Sequence, residues 1–334
     1  MRVVNCAFPE EPGKVTNRER CKRSLPQSRE CLTLVKHWNM MFPEAVLLLH
    51  RTARYLRRRA KQFAESIVFD QQALMIQEQV LGVGHPDVAK TLYCLAESYS
   101  GLDKYERSEA FFKRALAIRE QVLGPQHRLT LKIRGDFGYL YYKQGKYKEA
   151  ESLTRQTLES RLQVLGLEKL DTSKSFNNLA LVYSAQGKYE EAEELFNRAL
   201  IIREKVLGEQ SLYVAITLNN LGKLYAKQGK YDQAELFFQR AFAIREQELG
   251  MEDRATARSL KDLADLYKDQ GKFEKAEPLY QQVLSIWEKV LGLEYAEPAE
   301  VLDDYADLLR KMNHEEEAAL LETRATEIRN RVGS

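Results

Sequence analysis

Apolar and small residues recur along most of this chain at the spacing of an amphipathic helix, at positions i, i+3, i+4 and i+7. One such run contains Leu179, Ala180, Val182 and Tyr183. A second run follows after a short polar interval: Ala192, Leu195, Phe196, Ala199 and Leu200. The pattern predicts two helices, over residues 172–185 and 189–206, joined by a tight turn.

The same two-helix pattern returns every 42 residues. The segments 175–208 and 217–250 align position for position at that offset. A Leu-Gly pair closes each step, at Leu81-Gly82, Leu123-Gly124, Leu165-Gly166, Leu207-Gly208, Leu249-Gly250 and Leu291-Gly292. A fixed period of this length indicates a repeat array, in which each repeat buries its apolar face against its neighbours. The sequence therefore predicts stacked helix pairs with no β-sheet.

Two further features recur at the same period and define the turn and the helix contacts. The turn carries only residue types that tolerate a left-handed backbone: Asp103, Gly145, Gly187, Gly229, Gly271 and Asn313. Small residues stand at fixed spacing from aromatic ones, as Ala180 does from Tyr183 and Ala192 from Phe196. Such spacing predicts interdigitated helices with Phe196 in the core.

The order Ala180, Tyr183, Ala192, Phe196, Ala199 resembles the tetratricopeptide repeat. That repeat usually has about 34 residues, so the extra length here is expected to extend the second helix and the following loop. Endings such as ALAIREQVLG at residues 115–124 look like the kinesin-light-chain type, which is also found fused to signalling ATPases of the NB-ARC class. The resemblance implies an all-α, right-handed α-solenoid of about seven antiparallel helix pairs over residues 43–332. Its repeats are expected at about 46–82, 86–124, 128–166, 170–208, 212–250, 254–292 and 296–332.

Residues 1–42 differ from the array in composition. They contain Pro9, Pro12 and Pro26 and show no sustained period, so a disordered tail is predicted. Residues 1–62 carry 14 Lys and Arg against 5 Asp and Glu, a net charge of +9, whereas residues 63–334 carry 37 against 44, or −7. Nucleic-acid binding through the basic tail is therefore an alternative class of function.

The first repeat departs from the packing pattern. Arg54 and Arg57 stand where other repeats have the small residue and the tyrosine, and Ser66 and Asp70 replace the alanine and the aromatic residue. Polar substitutions of this kind are typical of an end cap. The basic run from Arg54 to Lys61 is accordingly interpreted as the exposed face of a capping helix.

No residue pattern in the sequence points to catalysis. The phosphate-binding motif G-x-x-x-x-G-K-[ST] does not occur, the five histidines are dispersed, and paired carboxylates such as Glu190-Glu191 lie on charged helix faces. We therefore expect no enzymatic activity, no cofactor and no metal site. The apolar run Ala45 to Leu49 is far shorter than the roughly 18 residues of a membrane span. Four cysteines without a C-x-x-C pattern are typical of a reducing, cytoplasmic setting.

Function is expected on the face of the first helices, which lines the concave groove in arrays of this type. The register places these candidate residues there: Lys132, Tyr139, Tyr142, Lys143, Lys174, Asn177, Leu181, Asn219, Lys223, Lys227, Arg258, Lys261 and Lys268. Because basic residues dominate this set in an acidic array, we predict an extended peptide ligand that carries Asp, Glu or a free carboxylate. Asn177 and Asn219 are expected to contact its main chain, since an amide side chain both donates and accepts. The alternative is that these asparagines only satisfy contacts between helices.

The sequence thus predicts a non-catalytic module that binds a partner protein or peptide. One further interpretation within this class is the ligand-sensing part of a signalling ATPase whose catalytic domain lies elsewhere.

Overall fold

The computed structural model describes residues 18–57, 62–291 and 297–333. The chain divides into two compact units, unit 1 (Met1–Val164) and unit 2 (Leu165–Ser334). In the described residues the backbone forms fifteen helices and no strand. In chain order they are α1 (Arg18–His37), α2 (Pro43–Tyr55), α3 (Phe63–Leu81), α4 (Pro86–Gly101), α5 (Tyr105–Leu123), α6 (Arg128–Lys143), α7 (Tyr147–Leu165), α8 (Leu170–Ala185), α9 (Tyr189–Leu207), α10 (Leu212–Lys227), α11 (Tyr231–Leu249), α12 (Arg254–Asp269), α13 (Phe273–Leu291), α14 (Glu297–Lys311) and α15 (Glu315–Gly333).

Helices α2 to α15 form the seven predicted pairs, so the all-α repeat fold is confirmed. Helices α8 and α9 contain the two segments that the apolar spacing marked, each with a difference of at most two residues at its ends. The second helix of this pair has 19 residues and the first has 16. The extra length of the repeat therefore lies partly in the second helix, as expected.

The turn after α8 shows why a residue that tolerates the left-handed conformation recurs there. Gly187 has a φ of 79°, and the amide of Lys188 donates to the carbonyl of Tyr183 at 2.9 Å. This bond satisfies a carbonyl at the end of the helix that has no partner within it. Asp103 and Asn313 occupy the same position in other repeats with φ values of 54° and 65°.

The predicted core positions are buried. In unit 2, Phe196 lies in one apolar cluster with Ala180, Ala192 and Leu221. The small residues allow close approach of the two helices of a pair. At Gly222 on α10, a Cβ atom would lie 2.6 Å from the ring of Phe238 on α11, so only glycine fits without a shift of that ring.

The prediction of a disordered tail is wrong for residues 18–37, which form α1. The buried side of this helix follows a three-and-four spacing through small polar residues and cysteines that the apolar pattern did not register: Cys21, Ser24, Ser28, Cys31, Leu32 and Val35. The cysteines, Leu32 and Val35 share apolar clusters with residues of α2, and Pro26 lies on the exposed side. Arg29 also donates to both carboxylate oxygens of Glu65 on α3, at 2.6 and 2.9 Å. Residues 1–17 lie outside the described residues.

The interpretation of the Arg54–Lys61 run as an exposed cap face is wrong at Arg57. Its Nη1 donates to Oδ2 of Asp70 at 2.8 Å, and both side chains are buried. Arg54 is exposed as expected, and residues 58–61 lie outside the described part of the chain. Two polar residues of the first repeat, Arg57 and Asp70, thus pair with each other beneath the surface instead of facing solvent.

Tyrosines of the first helices bond to glutamates of the preceding repeat in unit 2. The hydroxyl of Tyr225 donates to Glu193 and that of Tyr267 donates to Glu235, both at 2.7 Å and both across 32 residues. Burial and these carboxylates raise the pKa of each tyrosine to about 12. Each bond therefore joins neighbouring repeats through a phenol that holds its proton tightly.

These bonds predict a loss of stability at alkaline pH. The folded pKa lies above the ordinary value of 10.0, so the contribution is complete below about pH 10 and is lost as the pH rises to about 12. Tyr225→Phe should cost about 1–3 kcal/mol at pH 8, as expected for a hydrogen bond to a charged group, and should flatten the alkaline loss. Urea unfolding at pH 8 and pH 11 measures both effects, with the exposed Tyr213 changed to Phe as the control. Equal pH dependence in Tyr225→Phe and the unchanged protein would contradict this account.

Candidate peptide-binding face

The candidate residues lie on first helices in both units. In unit 1 they lie on α6, and in unit 2 they lie on α8, α10 and α12. We call the side of α8, α10, α12 and α14 that carries the predicted set the first-helix face of unit 2. Its members from that set are Lys174, Asn177, Leu181, Asn219, Lys223, Lys227, Arg258, Lys261 and Lys268. Side chains three and four residues apart share one side of a helix, which is why the register selects this set.

Neighbouring first helices are joined by polar contacts across 43 residues. In unit 2, Nδ2 of Asn220 donates to Oδ1 of Asn177 at 3.0 Å, and Nδ2 of Asn219 donates to Oδ2 of Asp262 at 2.8 Å. In unit 1, the hydroxyl of Tyr93 lies 2.7 Å from Oδ2 of Asp136 on the next first helix. The 42-residue pattern did not predict this ladder of contacts between first helices, because each contact joins residues 43 positions apart.

Asn177 and Asn219 are buried within this ladder. Oδ1 of Asn219 also accepts from Nη1 of Arg245 at 3.1 Å. The amides that were expected to contact a peptide main chain are therefore engaged with other helices. These contacts favour the alternative in which the asparagines satisfy contacts between helices.

A buried arginine in the second helix of successive repeats was also missed. The residues are Arg119, Arg161, Arg203 and Arg245, each 42 residues after the last. Arg203 on α9 donates through Nη1 to Oγ1 of Thr217 on α10 at 2.6 Å and through Nε to Oγ of Ser173 on α8 at 3.3 Å. Burial lowers the pKa of Arg203 to about 10. One side chain thus joins three helices. In the sequence, the Arg that recurs in the segments AIRE and IIRE could have indicated this position.

The basic residues of the first-helix face differ in how far they reach solvent. Lys227 and Arg258 are exposed, and Lys223 is exposed while its Nζ lies 3.0 Å from Oδ1 of Asp262. Lys261 and Lys268 are largely covered and bind carboxylates of α12 and α14. The face therefore combines exposed cationic side chains with lysines that carboxylates largely cover.

The candidate residues of unit 1 also have partners within the fold. Nζ of Lys132 lies 4.7 Å from the ring centre of Tyr93. Nζ of Lys143 donates to Oδ1 of Asp103 at 2.8 Å and to the carbonyl of Ser100 at 2.9 Å. The predicted tyrosines form a stacked pair, Tyr139 and Tyr142, with ring centres 5.7 Å apart.

The described part of the chain has no group of three or more His, Cys, Asp or Glu side chains placed to hold a metal ion. Among the described helices, none has the length and apolar character needed to cross a membrane.

Comparison with known structures places this arrangement among repeat proteins. BtubC from P. vanneervenii is similar, with a TM-score of 0.51 and 24% identity over 71% of this chain and 92% of that chain. A kinesin light chain-like protein from P. anserina has a TM-score of 0.50 and 22% identity over 62% of this chain and 98% of that one. A Rap protein complexed with competence and sporulation factor has a TM-score of 0.67 and 17% identity over 99% of this chain and 96% of that chain. At these identities the likeness establishes the fold.

The family itself is shown by sequence. No curated protein matches the chain. The tetratricopeptide repeat profile, however, matches residues 45–121, 87–163, 171–247 and 252–331. These matches cover most of the chain, and the chain therefore belongs to the tetratricopeptide repeat family.

Proposed function

We propose that this protein is a non-catalytic interaction module that binds an extended, acidic peptide segment of a partner on the first-helix face of unit 2. The observation that carries the proposal is a set of three exposed cationic side chains on the first helices α10 and α12: Lys223, Lys227 and Arg258. The charge of these groups stands out in an array with an overall charge of −7. A local cationic patch on such a body steers anionic groups toward itself.

Structural neighbours support the peptide part of this proposal. Besides the Rap protein with competence and sporulation factor, a Rap conjugation gene regulator of plasmid pLS20 was solved in complex with the Phr* peptide and has a TM-score of 0.64 with 16% identity. A repeat array with the same fold thus accommodates peptides. Among the described residues, Cys21, Cys31 and Cys94 form no disulfide, which suits a reducing, cytoplasmic location.

Asn177 and Asn219 have no direct ligand contact in this proposal, because both are bonded to other helices. They hold α8, α10 and α12 in register, and the cationic side chains bind the acidic groups of the ligand. The sensor-domain and nucleic-acid interpretations stay predictions, since no contact in the described residues favours either.

The test is a charge reversal at Lys223 and Lys227, measured with a fluorescein-labelled peptide, Asp-Asp-Gly-Ser-Gly-Ser-Ser-Ser, capped at both ends. Fluorescence anisotropy at low salt should show binding to the unchanged protein and a loss of about tenfold or more in Lys223→Glu/Lys227→Glu. Two exposed charge pairs contribute up to about 1 kcal/mol each, and reversal adds repulsion. Binding should also weaken as salt rises toward about 0.5 M, where screening is strong.

The matched control is Lys205→Glu/Lys289→Glu, which reverses two exposed lysines on the second helices α9 and α13. It changes the net charge by the same amount away from the first-helix face, so it should leave binding nearly unchanged. Circular dichroism verifies that each variant stays folded. Binding that survives both the double reversal and high salt would refute the proposal.

A further inference from the structure

Ion pairs of the first-helix face differ in which partner is the more exposed: the lysine on α10, but the aspartates on α14. On α10, Lys223 lies over Asp262 of α12: the lysine side chain is 51% exposed and the carboxylate is 10% exposed. Asp262 also accepts from Asn219 below. At this end the positive partner faces solvent and its counter-charge lies beneath it.

On α12 and α14 the order is reversed. Lys268 lies 3.1 Å from Asp307, and here the lysine is 10% exposed and the aspartate is 51% exposed. Lys261 is likewise 19% exposed, while its partner Asp304 at 2.6 Å is 35% exposed. The carboxylates form the outer layer over Lys261 and Lys268. The exposed Lys311 of α14, 3.1 Å from Asp307, offsets part of that outward negative charge.

A position shared by several first helices also changes from positive to negative charge toward α14. Lys174 on α8, Arg258 on α12 and Glu300 on α14 occupy equivalent positions in their repeats, and Glu300 is exposed. The cation at this position is thus replaced by a carboxylate in the last repeat. The change reinforces the inverted pairs, because it adds an outward negative charge beside Asp304 and Asp307.

A ligand meets the outer charge of each pair at the shortest distance. Coulomb attraction falls with distance, and a counter-charge one layer below cancels it only in part. The α10 part of the face therefore favours anionic groups and the α14 part favours cationic ones. A uniformly acidic peptide that reached α14 would meet Asp304, Asp307 and Glu300.

We infer that the ligand is dipolar, with acidic side chains over α10 and basic side chains over α14; this inference rests on the proposed peptide binding. Packed helices lie about 8–10 Å apart, so two steps from α10 to α14 span about 16–20 Å. An extended chain rises about 3.3 Å per residue. The two charged blocks are therefore about five or six residues apart in the ligand.

Three capped, fluorescein-labelled peptides test the inference at low salt. The dipolar probe is Asp-Asp-Gly-Ser-Gly-Ser-Lys-Lys, the mixed probe is Asp-Lys-Gly-Ser-Gly-Ser-Asp-Lys, and the acidic probe is Asp-Asp-Gly-Ser-Gly-Ser-Ser-Ser. The dipolar probe should bind about fivefold more tightly than either of the others. The mixed probe has the same composition, so net charge cannot explain a difference from it.

Substitutions then locate the effect. Glu300→Gln/Asp307→Asn should remove the advantage of the dipolar probe and leave the acidic probe bound at least as tightly. Lys223→Glu/Lys227→Glu should weaken both probes. The control Glu316→Gln/Glu327→Gln neutralises two exposed carboxylates of α15, away from this face, and should preserve the advantage.

The outcomes separate the inference from the proposal beneath it. If the acidic probe binds through Lys223 and Lys227 but the dipolar probe is no tighter, the inference is overturned and the proposed function stands. Persistence of the dipolar advantage in Glu300→Gln/Asp307→Asn also overturns it. If none of the three probes binds, both are overturned.

Discussion

Replacing Arg57 with methionine is expected to destabilise unit 1 by about 3–5 kcal/mol, because it leaves a buried carboxylate without its cation. Asp70 is 0% exposed and accepts from Nη1 of Arg57 at 2.8 Å. Nε of Arg57 also lies 3.4 Å from Oε2 of Glu97 on α4. The substitution therefore removes a link among α3, α4 and the segment that follows α2.

Two variants make this expectation specific, with urea-induced unfolding as the measurement. Arg54→Met removes the same charge at an exposed position three residues earlier and should change stability by less than about 0.5 kcal/mol. Arg57→Met/Asp70→Leu removes both charges and should recover most of the loss, since the cost comes from the unpaired carboxylate. A loss at Arg57 that the second substitution does not reduce would assign the effect to packing instead of charge.

The repeat made the fold predictable from the sequence. Each repeat carries the same type of residue at the same structural position, so the turn position can be recognised even where Asp103 and Asn313 replace glycine. The alternation of small and aromatic residues is equally redundant, and it correctly placed Phe196 in the core. A single helix pair would have shown the turn residue and the small–aromatic spacing only once, with no other repeat for comparison.

The first part of the chain lacked that redundancy. Helix α1 buries Cys21, Ser24 and Ser28, and small polar side chains do not produce an apolar period. Arg57 and Asp70 were assigned to a solvent-facing cap because each residue alone is a surface type. Their burial follows from mutual pairing, which sequence position alone does not reveal.

The sequence predicted which helices carry the candidate residues, but it predicted only part of the charge that these residues present to a ligand. Register places Lys223 and Lys268 on first helices, but it cannot tell which member of an ion pair lies outermost. That order depends on how adjacent helices are offset and on the reach of each side chain. Lys268 is covered by carboxylates from α14 that lie more than 30 residues away in the sequence, so a count of lysines overestimates the positive charge that a ligand meets.

In unit 2, Phe196→Ala is expected to cost about 3–5 kcal/mol, the range for a buried aromatic residue cut back to alanine. Phe196 is 1% exposed and lies in an apolar cluster with residues from all five helices α8 to α12. Its neighbours Ala180 and Ala192 are small and helical, so they cannot move in to fill the space. Urea unfolding measures the change, and the adjacent exposed residue, Asn197→Ala, should change stability by less than about 0.5 kcal/mol. A loss below about 1 kcal/mol at Phe196 would show that the aromatic position of the repeat contributes little to the core, and the packing of every repeat with an aromatic residue there would have to be reconsidered.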